Sequence, residues 1–432
     1  MKQRRRVVIT GMGVITPLGH NVPDLYQSQI DGRSGVGPIE FFDARSFPTN
    51  FAAHVKNFDL ATALPNGAQW SFCGLNTQYA LAAGRQALDD AGLLDNPRID
   101  PENIGVYLGS GEGGHDFKSL VESVARATPE NSHSPDARAF FQNSRRNFNG
   151  RHEYEMEMHT TTGRLAEAFN LQGPNMTCQT ACAASSQAIG EATEVIRHGD
   201  ADLMLSGGAH SMIHPFGVSG FNRLTALSTR RDNPQGASRP FDLHRDGFVL
   251  GEGSGIVVLE ELEHAKKRGA TIYAEMTGYG TTADSFRVTD SHPEGRGAIA
   301  AIRNALLDSE LPNEAIGYVN AHGTSTKVND AAETVALKVV FGDYAYKLPI
   351  SSTKSMLGHL ICAAGVVELI ISITAMRKGI LPPTINYENP DPICDLDYIP
   401  NEARPKKFDH FISNSFGFGG QNISLVASRF SR

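Results

Sequence analysis

One short pattern occurs twice in this chain and restricts its fold more than any other feature. Residues 175–180 lead through a turn into Cys182-Ala183-Ala184 and a helix of small residues; residues 350–353 lead through Gly358-His359 into Cys362-Ala363-Ala364 and a second such helix. A strand–turn–helix unit recurring at equivalent places in two parts of a chain points to internal duplication. A length of 432 residues exceeds one small core and suits two fused units of similar size. The acidic, lysine-rich stretch 260–267 separates them, so the first half is read as 1–260 and the second as 261–432. The polar segment 132–162 reads as a lobe inserted into the first half.

Short β-branched runs alternate with small-residue helical stretches, which predicts a layered α/β architecture. Strands are expected at 7–10, 104–108, 203–206, 255–259, 317–320 and 411–413, and helices at 78–91, 182–198, 331–341 and 362–377. The helix at 182–198 puts Ile189, Ala192, Val195 and Ile196 near one face and stops at Gly199, which suits the left-handed residue after a helix end. The longest apolar run, 366–376, is too short to span a bilayer, and the run after Arg4-Arg5-Arg6 is shorter than a signal-peptide core. Five cysteines without paired metal spacing predict reduced thiols and a cytoplasmic protein. A net charge of −8 argues against a nucleic-acid partner, which would demand a basic face.

Three residues could carry chemistry. Cys182 is read as opening a helix, where unpaired N–H groups favour a thiolate, lower its pKa and can hold an oxyanion. His322 follows the expected strand at 317–320, and His359 lies between a strand and a helix; sites in open α/β folds form at such strand ends. A lone buried cysteine or histidine is more often structural, but three reactive residues at strand ends in both halves outweigh that reading. Other motifs fail. Gly109-Ser110-Gly111-Glu112-Gly113-Gly114 fits a dinucleotide fingerprint only formally, with no clear helix opening there, and the histidines at 152 and 159 lack zincin spacing. There is no P-loop and no Gly-x-Ser-x-Gly elbow.

Thr180-Ala181-Cys182, His322-Gly323-Thr324, Lys354 through Gly358-His359, and Gly417-Phe418-Gly419-Gly420 occur in the order found in a known family. The chain resembles the elongating β-ketoacyl-carrier-protein synthases of fatty acid and type II polyketide assembly over essentially its whole length. That resemblance implies a thiolase-like five-layer αβαβα fold of two pseudo-duplicated halves. It implies a homodimer, with a heterodimer as the alternative, and an acyl carrier protein as partner. It also implies Cys182 as the acyl-accepting nucleophile beside His322 and His359, with Lys354 ordering the site, supported by Glu333, and Asp330 nearby. Phe418 would gate the site and share the oxyanion hole with Cys182, Thr324 and Thr326 would hold the carrier's phosphopantetheine arm, and Glu112 and Phe221 would border the acyl pocket. No metal or organic cofactor is implied beyond the arm that the carrier brings. The His–His pair separates the chain from thiolases and initiating synthases, and Cys182 separates it from non-catalytic chain-length-factor subunits.

The chain departs from its relatives in three places. Glu112 stands where fatty-acid enzymes keep an apolar residue, and an unpaired carboxylate there would be costly. The lobe at 132–162 is longer by about two helical turns. A helix start expected near Ala68-Gln69-Trp70-Ser71-Phe72 lacks the Lys and Arg that relatives turn towards acidic carriers; Arg223, Arg230 and Arg231 could substitute. These features predict a specialised, polyketide-like acyl substrate, with housekeeping fatty acid elongation as the alternative.

Overall fold

The computed structural model describes residues 4–94, 96–97, 99–111 and 116–431. Glu112 lies outside the described residues. Ten strands form one hydrogen-bonded sheet: β1 Val7–Ile15, β2 Ile104–Ser110, β3 Asn175–Cys178, β4 Leu203–His210, β5 Gly253–Glu261, β6 Ala274–Ala283, β7 Tyr318–Asn320, β8 Ile350–Ser351, β9 His410–Phe416 and β10 Gln421–Ser428. Their order is β8-β7-β9-β10-β6-β1-β5-β4-β2-β3. Numbered within each half from its own first strand, both sets of five follow the same sequence, 3-2-4-5-1. The halves meet where β1 pairs antiparallel with β6, Val7 opposite Met276 and Ile9 opposite Ala274.

Helices complete the layers. The principal ones are α1 Leu75–Asp90, α2 Ala184–His198, α3 Arg296–Ser309, α4 Lys327–Phe341 and α5 Ala364–Lys378. The middle pair, α2 and α5, touch each other and strands of both halves. Ile189, Ala192 and Ile196 of α2 share one buried cluster with Val366, Ile370 and Ile373 of α5 and with Ile9, Val257, Phe411 and Leu425 of the strands. α1 covers the outer face of the first half, and α3 and α4 that of the second. The result is the five-layer αβαβα arrangement. Because α5 is buried nearly all round, its sequence is apolar without a clear polar face.

The outer helices approach so closely that the strands beneath need glycine. A Cβ on Gly11 or Gly13 of β1 would lie 2.1 or 2.0 Å from carbonyl oxygens of α1, and one on Gly278 or Gly280 of β6 would lie 2.2 or 2.0 Å from those of α3. Thr10-Gly11-Met12-Gly13 and Thr277-Gly278-Tyr279-Gly280 are therefore equivalent segments, a second trace of duplication. Glycine weakens strand patterning, so β6 escapes a reading by β-branched runs; β10 escapes it as well.

The six strands and four helices expected from the alternation of β-branched and small-residue runs are present, with shifted ends. Gly199 takes the left-handed conformation (φ 90°) that ends α2. Two local readings are corrected. Residues 67–70 form a single 3-10 turn before α1 rather than an α-helix start. A helix does follow the glycine run, at Phe117–Ala127, but β2 lies inside the sheet between β3 and β4 rather than opening an N-terminal dinucleotide unit. The segment 132–162 contains short helices Ala137–Asn147 and Gly150–Tyr154; the first packs on Phe117–Ala127.

Candidate active site

The nucleophile candidate sits on a strained turn. Ala181–Ala183 form one 3-10 turn between β3 and α2, so Cys182 precedes the α-helix instead of opening it. Ala181 is held at φ 46°, and in the repeated unit Ile361 is held at φ 43° as the first residue of the 3-10 turn Ile361–Ala363. The two turns pack against each other, which places Cys182 close to the partner half. Only then do His322, after β7, and His359, after β8, come within reach. One ligand-type atom from each of Cys182, His322 and His359 lies within 4.8 Å of the other two, and all three residues are buried.

Burial dominates the electrostatics here. It pushes the Cys182 thiol up to about 11, against the backbone N–H of Phe418, the Lys354 charge and the thiol's own N–H. This corrects the expected depression of the thiol pKa: desolvation of a largely buried sulfur outweighs the few N–H groups aimed at it. Burial also holds His322 and His359 well below the usual imidazole range, helped for both by the Lys354 charge. Both rings are therefore neutral. In His359, Nδ1 accepts from the Ile361 N–H at 3.2 Å, so the proton resides on Nε2, which has no partner among the described residues. The rings stand edge to face, 5.4 Å between centroids. Three such ligands so close could bind a soft divalent cation, but the nearby Lys354 charge opposes one.

Lys354 and Glu333 are separated by the structure. The Lys354 ammonium pairs with Glu368 of α5, both almost fully buried, and not with Glu333. Glu333 instead accepts from the backbone N–H groups of His322 and Gly323, each at 2.9 Å, and from Asn414 Nδ2 at 3.1 Å. It fixes the His322 loop, where Gly323 itself turns left-handed at φ 40°. Burial raises both carboxyls, Glu333 and Glu368, to about 7. Glu368 went unread in the sequence, although a single acid inside the apolar run 366–376 was a signal, since such a charge requires a partner. Asp330 accepts from the Phe241 N–H at 2.8 Å and faces Arg245 at 3.6 Å, an anchor for the loop before β5 rather than part of the cluster.

A cavity of about 460 Å³ opens onto the cluster, lined by Cys182, His322, His359, Thr324, Thr326 and Phe418 among others. Thr324 and Thr326 share a hydroxyl hydrogen bond of 2.9 Å, and Thr326 also caps α4. The loop carrying Phe418 lies directly on the nucleophile turn: a Cβ on Gly417 would meet Thr180 O at 2.7 Å and Cys182 N at 3.4 Å. Phe221 stacks edge-on against Phe248, and Phe248 against His359. Near Phe72, Arg151 of the 132–162 segment lies 3.5 Å over the ring. Arg230 and Arg231 are held by carbonyls of His244 and Arg45.

Residues 4–265 match the model of the β-ketoacyl synthase N-terminal domain, and residues 273–388 that of the β-ketoacyl synthase C-terminal domain. The chain belongs to the β-ketoacyl synthase family. Among curated relatives, this synthase is 46% identical to a 3-oxoacyl-[acyl-carrier-protein] synthase 2 of Coxiella burnetii, with 99% of each chain covered. It is 42% identical to that of Synechocystis, again over 99% of both. Among solved structures, it superposes with a TM-score of 0.87 and 34% identity on a chain of a type II polyketide acyl carrier protein–ketosynthase complex bound to the hexaketide, covering 99% of this chain and 100% of that one. A β-ketoacyl synthase from Burkholderia phymatum gives 0.86 and 36%, with the same coverage.

Proposed function

We propose that this synthase performs a decarboxylative Claisen condensation, joining an acyl group carried on Cys182 to a malonyl unit delivered by an acyl carrier protein. The observation that carries the reading is the convergence of a buried thiol and two neutral imidazoles, from both halves, on one cavity. Cys182 sulfur attacks an acyl thioester, the carrier's thiol leaves with the proton, and the acyl group is held covalently. A malonyl thioester then enters and loses carbon dioxide, leaving an enolate. The Nε2–H of His359 is an available donor for the developing enolate oxygen, and His322 faces the same space. The enolate carbon attacks the acyl-cysteine carbonyl, and the thiolate departs as the β-ketoacyl product forms. The N–H groups of Cys182 and Phe418, both aimed at the sulfur, suit the tetrahedral oxyanion. Thr324 and Thr326 suit the phosphopantetheine arm, and nothing beyond that arm is required as cofactor.

The names of the Coxiella and Synechocystis relatives favour extension of plain acyl chains as a second reading. Partnership with a carrier protein is supported by the solved ketosynthase complex that the chain resembles. Among the described residues, no helix is long and apolar enough to cross a membrane. Intact-protein mass spectrometry after incubation with acyl- and malonyl-carrier protein tests the reaction. The expected result is an acyl adduct on Cys182, lost in Cys182→Ala, and a product two carbons longer; no adduct, with activity only beside a second chain, would make it a binding subunit.

A further inference from the structure

A second cavity, of about 310 Å³, lies beyond Phe418, the residue it shares with the first. Ala181, Phe221, Ile361 and Cys362 line it together with His210 and Gln421. Cys182 lines the first cavity rather than this one, but Ala181 directly precedes it and Phe418 borders both, so an acyl chain on Cys182 that passed Phe418 would enter this space. His210 closes β4 and is 1% exposed. A Cβ on Gly111 would sit 3.5 Å from its Nδ1 and 2.9 Å from Cys362 Sγ, so the glycine leaves the ring its room. Neither ring nitrogen of His210 has a hydrogen-bond partner among the described residues, and the buried Oε1 of Gln421 has none either. Burial, with His214 nearby, holds His210 down at about 3, so the ring is neutral and offers one donor and one acceptor.

Buried polar groups such as these are costly when left unpaired, and an alkyl chain that filled the cavity and displaced its water would pair none of them. An oxygen on the chain would. We propose that His210 is a specificity-determining residue that selects acyl chains bearing a hydroxyl or keto oxygen over plain alkyl chains of equal length. Sites built to hydrogen-bond a substrate oxygen discriminate strongly against analogues lacking it. The sequence carried the clue only as a histidine at the end of a buried strand, which is commonly structural.

The inference rests on acyl transfer to Cys182. Octanoyl thioester and a set of hydroxy- and keto-octanoyl thioesters, oxygenated at successive carbons, would compete for the full-length enzyme, with adducts on Cys182 read by mass. Native enzyme is expected to favour isomers oxygenated at one or two adjacent carbons by about tenfold or more. His210→Leu should cut that ratio about tenfold, and His210→Gln, which keeps a donor and an acceptor, should cut it less. Equal loading of all chains by the native enzyme, or an unchanged ratio in His210→Leu, would overturn the inference. Should the leucine variant not fold, the native positional preference decides it alone. Absence of every adduct would sink the acyl-transfer reading as well, a result distinguishable from indifferent loading.

Discussion

An enclosed thiol is a poor nucleophile until its surroundings stabilise the anion, and Cys182 is enclosed. With its pKa at about 11, its thiolate fraction rises tenfold for each pH unit across the neutral and mildly alkaline range. Iodoacetamide alkylation of Cys182, followed by peptide mass, should therefore climb steadily from pH 7 to 10; a plateau near neutrality would contradict the burial argument. Lys354 lowers that pKa, so Lys354→Ala should slow alkylation at every pH in the range. Lys354 also answers Glu368. Lys354→Met would leave Glu368 buried without its partner and, with the acid protonated, should cost about 1–3 kcal/mol in urea unfolding at neutral pH. The double variant Lys354→Met, Glu368→Leu should recover most of it, and a double variant as unstable as the single would refute the pairing.

Geometry at the scale of elements is governed by how closely backbones approach. The loop before β10 rests on the 3-10 turn of Cys182 because Gly417 has no side chain. Gly417→Ala should leave the far-ultraviolet circular dichroism spectrum intact while lowering kcat by about tenfold to a hundredfold, since displacement of a reacting group by about 1 Å costs that much. An unchanged kcat would show that the loop absorbs the methyl freely. Similar reasoning explains which elements were readable. β1, β2, β4 and β5 carry apolar runs visible without a structure, whereas β6 spends two positions on glycine for α3 to cross. Its kinship with β1 is nonetheless written in Thr277-Gly278-Tyr279-Gly280, as repeated packing demands repeated glycines.

The whole molecule is a duplicated sheet whose terminal strand in the first half, β3, has, among the described residues, only β2 as a neighbour and carries residues that are all partly or fully exposed. An open edge is a template for another strand, so sedimentation equilibrium at micromolar concentration should report a homodimer; a monomer would refute that expectation. Residues alone determined the duplication, the nucleophile candidate and its two histidines, because strand-end motifs are local and each motif is contiguous. Tertiary structure alone decided which carboxylate faces Lys354, that the thiol is hard to ionise, and that a polar ring waits in the second cavity. Those properties are sums over atoms from both halves: desolvation, fields and unpaired donors exist only once distant segments have been packed together.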